Sequence, residues 1–66
     1  MPVSYKKLWI MLIQKGITKI QLRQMADISP ATMTKLNKDE YVALSVLTKI
    51  CKALECDIGD IVEIMK

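Results

Sequence analysis

Residues 18–37 read Thr18-Lys19-Ile20-Gln21-Leu22-Arg23-Gln24-Met25-Ala26-Asp27-Ile28-Ser29-Pro30-Ala31-Thr32-Met33-Thr34-Lys35-Leu36-Asn37. Thr18 is an N-cap residue ahead of a helical run, and Ile17 is the apolar residue that precedes such a cap. Leu22, Met25 and Ala26 recur at helical spacing and form the inward face of a helix ending near Ala26. Ser29-Pro30 marks the next start, with serine at the cap and proline at the first helical position, where its missing N–H is no loss. Met33 and Leu36 are the inward pair of that second helix, which stops around Asn37-Lys38-Asp39. Only Asp27-Ile28-Ser29 lies between the two. Short helices joined by a three-residue turn form a helix-turn-helix, centred here on residues 18–37. Leu22, Met25, Ile28, Met33 and Leu36 lock its two arms at a steep angle.

The flanking sequence keeps the same period. Upstream, Ser4 is a candidate N-cap, Leu8, Met11, Leu12 and Lys15 share a face, and Gly16 supplies a C-terminal stop. Downstream, residues 39–44 form a loop and Ser45 caps a fourth helix with the inward stripe Val46, Leu47, Ile50, Cys51 and Leu54. Asp57 caps a short fifth helix that turns Ile58, Ile61 and Val62 inward. The expected fold is all-α: five short helices, no sheet, one domain over residues 1–66.

Length and composition limit the function. The chain has 66 residues, 52% of them hydrophobic and 26% charged. A chain this short buries only about 60% of its unfolded surface and has no room to enclose a large pocket. With no histidine, it has neither a histidine acid–base pair nor a histidine-ligated zinc. Two cysteines, Cys51 and Cys56, do not fill a structural zinc site. No triad, phosphate loop or cofactor motif is present, so neither an enzyme nor a cofactor-, metal- or small-molecule-binding protein is expected. Asp57 and Asp60 read as capping residues rather than cation ligands. Met11, Met25 and Met33 read as core fillers. The longest apolar run, Leu8-Trp9-Ile10-Met11-Leu12-Ile13, is far short of a membrane span or a signal peptide. The expected location is the cytoplasm, with both thiols reduced and packed as small apolar side chains rather than joined in a disulfide.

Charge is divided along the chain. Residues 1–38 carry Lys6, Lys7, Lys15, Lys19, Arg23, Lys35 and Lys38 against Asp27 alone. Residues 39–66 carry Lys49, Lys52 and Lys66 against Asp39, Glu40, Glu55, Asp57, Asp60 and Glu63. A basic half suits a polyanion. Within it, the helix after the turn leaves Pro30, Ala31, Thr32, Thr34, Lys35 and Lys38 wet: short or basic side chains and no carboxylate. A helix laid in the DNA major groove needs small residues for close approach, donors for base edges and cations for phosphates.

The stretch Thr18–Leu36 resembles the helix-turn-helix of the phage Cro/repressor (XRE-like) family. The stretch Val46-Leu47-Thr48-Lys49-Ile50-Cys51-Lys52-Ala53-Leu54-Glu55-Cys56-Asp57-Ile58-Gly59-Asp60-Ile61 is similar to its fourth and fifth helices, in particular those of small stand-alone bacterial regulators. The resemblance implies sequence-specific binding of double-stranded DNA, transcriptional regulation, repression for preference, and a homodimer. It assigns Pro30, Ala31 and Lys35 to base-facing positions and Thr32 to the backbone or a base edge. Lys19 falls on a phosphate-contacting position, with Lys38 and Ser29 as further phosphate contacts. Lys35 is the one long donor, suited to guanine O6 and N7. Two residues depart from the family pattern. Arg23 stands where alanine is usual, and must pack its stem while its head reaches solvent. Asp27 stands where glycine is usual, and must take a left-handed or turn conformation.

Five short helices leave apolar residues uncovered: Trp9, Ile10 and Ile13 on the first helix, and Ile64 and Met65 at the C-terminal end. They are the candidate homodimer surface. The competing reading keeps the scaffold but gives that surplus to another protein, making the chain an interaction module such as an antirepressor or an antitoxin-like partner.

Overall fold

The computed structural model describes residues 2–66. Strand β1 (Val3–Ser4) leads into helices α1 (Lys6–Lys15), α2 (Lys19–Met25), α3 (Pro30–Asn37) and α4 (Leu44–Leu54); a 3-10 turn (Ile58–Asp60) and strand β2 (Glu63–Ile64) follow. Leu8, Leu22, Leu36, Ile50 and Ile61 are wholly buried, so every helix and the segment after the 3-10 turn contribute to one core. Helices this short are unstable alone, and this shared burial holds them.

All four helices stop by the same device. The residue after each last turn is left-handed: Gly16 (φ 69), Asp27 (φ 54), Asp39 (φ 55) and Glu55 (φ 55). The next N–H then bonds back five residues. Ile17 donates to Leu12 O, Ile28 to Arg23 O and Glu40 to Lys35 O, each at 2.9 Å, and Cys56 donates to Cys51 O at 3.0 Å. These bonds satisfy carbonyls that the helix ends would otherwise leave unpaired. The left-handed conformation expected of Asp27 is present.

The starts are less uniform. Thr18 caps α2 as expected, accepting from Gln21 N–H at 3.1 Å while Gln21 Oε1 accepts from Thr18 N–H at 2.9 Å. Ser29 Oγ caps α3 by accepting from Thr32 N–H at 3.2 Å, with Pro30 at the first position. Neither Ser4 nor Ser45 is the N-cap expected of it. Ser4 lies in β1, and Tyr5 precedes α1 without a side-chain cap. Helix α4 begins two residues early, at Leu44, behind Ala43. Burial of Leu47, Ile50 and Leu54 sets its frame, and no side-chain acceptor is used.

Two expectations about architecture are corrected. The fifth helix is a single 3-10 turn, held by the Asp57 N–H donating to Asp60 Oδ2 at 3.0 Å; Ile61 is buried after it, but Ile58 is exposed and Val62 only half-buried. The chain then runs extended and forms a sheet where none was expected. Strands β1 and β2 pair antiparallel, Val3 with Ile64 and Ser4 with Glu63, and Met65 N–H donates to Pro2 O at 2.7 Å. Met25 is not an inward residue of α2. The buried stripe centres on Leu22 and Ala26, and Met25, about 100° round from Ala26, is left 51% exposed. No helix among the described residues is long and apolar enough to cross a membrane.

Candidate nucleic-acid interface

The turn between α2 and α3 is built from one strained residue and one buried one. Asp27 takes the left-handed step, and Ile28 drops into the core, 6% exposed. Ser29 then opens α3. Arg23 is half-buried, and its carbonyl receives the Ile28 N–H.

Helix α3 buries only Met33 and Leu36. Pro30, Ala31, Thr34, Lys35 and Lys38 are exposed, together with Ser29 before them, and Thr32 is half-buried. The hydroxyls are partly committed. Thr34 Oγ1 donates to Pro30 O at 3.0 Å, and Ser29 Oγ and Thr32 Oγ1 share a hydrogen bond of 2.9 Å. Thr34 therefore offers a ligand its lone pairs rather than its proton.

Of the acidic residues flanking α3, Asp39 has its carboxylate engaged. Asp39 Oδ1 accepts from the Tyr5 N–H at 3.1 Å, and Tyr5 OH donates to Glu40 O at 2.7 Å. Tyr5 is 2% exposed, so it ties the segment leaving α3 to the start of α1. Burial pushes the Tyr5 phenol above its ordinary range. Asp27 shares a surface hollow with Lys49 and Lys52 of α4.

Lys19 is braced, which the sequence did not announce. It opens α2, where the helix dipole disfavours a cation. Its Nζ lies 4.3 Å from the Trp9 ring centroid and donates to Asn37 Oδ1 at 2.8 Å. One residue of α1 and the last residue of α3 thus hold a cation of α2. Asn37 and Trp9 sit too far away in sequence for any local pattern to pair them with Lys19.

The expected dimer residues come from two parts of the chain, α1 and the C-terminal end. Trp9 is half-buried against the core. Ile10 and Ile13 are exposed on α1, and Ile64 and Met65 are exposed on and after β2. Beside Ile64 lies an apolar groove of about 470 Å³, lined by Val3, Tyr5, Val42, Leu47 and Val62, with exposed Tyr41 and Ile58 at its sides. Tyr41 and Ile58 were not singled out in the sequence as surface residues, because neither belongs to an uncovered helical stripe.

A helix-turn-helix with a wet, carboxylate-free second arm defines the class of small DNA-binding domains. Residues 7–66 match the family of the Cro/C1-type HTH DNA-binding domain, and the chain belongs to that family: it is a DNA-binding helix-turn-helix protein of transcription regulation. It is 38% identical over 56 residues to YozG of Bacillus subtilis (strain 168), an uncharacterised HTH-type transcriptional regulator, a match covering 82% of this chain and 67% of the relative. The crystal structure of the transcriptional regulator VanUg superposes with a TM-score of 0.92 at 48% identity, covering 94% of this chain and 83% of that one.

Proposed function

We propose that the chain is a sequence-specific repressor that lays α3 in the major groove of double-stranded DNA. The observation that carries this is the outward face of α3: Pro30, Ala31, Thr34 and Lys35 exposed, with the neighbouring Asp39 carboxylate hydrogen-bonded to the Tyr5 backbone. Lys35 reads a guanine edge, and Pro30 and Ala31 permit close approach and contact a thymine methyl. Thr32 and Thr34 add acceptors. Lys19, Ser29 and Lys38 bind phosphates on either side, which fixes register without reading sequence. Selection from random duplex DNA tests the reading. A recurrent motif whose binding weakens steeply with salt supports it; selection without any motif overturns it and favours the protein-interaction reading.

One such helix reads few base pairs, so two copies are proposed to bind together, about 34 Å or one DNA turn apart on a near-palindrome. The groove lined by Ile64 supports placing the two-fold contact there rather than on Ile10 and Ile13. Sedimentation equilibrium tests it: Ile64→Glu is expected to leave a monomer and Ile13→Glu a dimer. An unmutated chain that stays monomeric at tens of micromolar, free and on half-site DNA, removes the dimer.

A further inference from the structure

Residues five apart on a helix face different ways, about 140° round from each other. The end of α4 cancels that separation for Cys51 and Cys56. Glu55 turns left-handed, and the Cys56 N–H bonds back to the Cys51 carbonyl at 3.0 Å. In a cap of this kind the side chains at the two ends of the bond meet. Here they are two thiols. Both are free and half-buried, and both line one open hollow with Lys52, Glu55, Asp57 and Asp60. The same cap at the end of α1 joins Leu12 and Ile17, so the architecture itself does not require sulfur.

We propose that Cys51 and Cys56 form an oxidisable dithiol, a two-electron redox site that closes to an intrachain disulfide by exchange with a small-molecule disulfide. The proposal is independent of how the chain reads DNA. One cysteine thiolate attacks a sulfur of the small disulfide, whose S–S bond breaks and releases one thiolate. The second cysteine thiolate then attacks the cysteine sulfur of the mixed disulfide, forming the Cys51–Cys56 bond and releasing the second thiolate. The two cysteine protons end on the two released thiols; the protein is oxidised and the small disulfide reduced. A bridge open to solvent belongs with labile disulfides rather than structural ones.

The surroundings set the rate. Burial first, then the neighbouring Cys51 and Asp60 of the 3-10 turn, push the Cys56 thiol up to about 11, while Lys15 of α1 pulls the other way. Cys56 is therefore protonated at neutral pH, and exchange accelerates as pH rises toward that value.

The test is equilibration of the full chain in a series of reduced and oxidised glutathione mixtures, followed by alkylation and intact-mass measurement. The expected result is one transition from two alkylated thiols to none, in a single uncrosslinked chain that has lost two hydrogens, without a lasting glutathione adduct. Cys51→Ser and Cys56→Ser should each accumulate the adduct, because no second thiol remains to displace it. An unmutated chain that accumulates adducts, crosslinks to another chain, or keeps both thiols in the most oxidising mixture overturns the proposal. If a serine variant fails to fold, the adduct pattern of the unmutated chain decides alone.

Discussion

The ammonium of Lys19 rests 4.3 Å above the Trp9 ring. A lysine held by a ring and by Asn37 has already lost much of the freedom that phosphate binding would otherwise remove.

Lys19→Ala should therefore weaken cognate and random DNA alike and reduce the slope of log affinity against log salt by about one. Binding titrations at several salt concentrations measure it. An unchanged slope takes Lys19 out of the phosphate contacts. Trp9→Leu leaves the charge in place, so it should lower affinity while keeping the slope.

Lys35→Ala should behave differently. Losing a contact to a guanine edge costs about 1–3 kcal/mol on the cognate site and much less on random DNA. Equal losses on both would reduce Lys35 to a phosphate neutraliser.

The left-handed caps predict opposite outcomes for two glycine substitutions. Glu55→Gly relieves a conformation unfavourable to any residue with a Cβ, and should stabilise by about 0.5–1 kcal/mol. Asp39→Gly relieves the same strain but removes the acceptor of the Tyr5 N–H, worth about 1 kcal/mol or more. Urea midpoints should rise for the first and fail to rise for the second.

Alkaline stability follows from Cys56. Its thiol titrates at about 11 in the folded chain against 9.0 ordinarily. Below pH 9 the thiol is protonated in both states and the native state keeps its full margin. Above it the unfolded chain releases its proton first, so stability falls until the folded thiol also ionises. Tyr5, raised from 10.0 chiefly by burial, adds a loss of the same sign at higher pH. Under reducing conditions Cys56→Ser should flatten the decline between 9 and 11; an identical decline would show that Cys56 does not drive it.

The helix-turn-helix was legible because its signals are local: Thr18 with Gln21, Ser29 with Pro30, and a buried Ile28 in a three-residue turn. The left-handed step was legible at Gly16, which glycine marks, and at Asp27, where the resemblance has glycine. The same left-handed step at Asp39 and Glu55 carries no such sign, because a carboxylate there adopts it only under the pull of the surrounding core. Two-residue strands are too short to show alternation, so the pairing of Val3 with Ile64 was hidden. The exposed face of α3 could be read from its sparse apolar residues. The grip of Trp9 and Asn37 on Lys19 could not, since it depends on how three helices cross.

The register of β1 and β2 also fixes how the fold responds to force. Pro2 and Met65 lie at the same end of an antiparallel ladder only two pairs long. Tension applied between the two ends therefore opens the ladder like a zipper, first Met65 from Pro2, then Ile64 from Val3, one bond at a time rather than all in shear. The next residue inward is Tyr5, whose hydrogen bonds hold the segment that follows α3. A modest pull on the ends would thus reach the end of α3 before it disturbed the packing of α2 on α4.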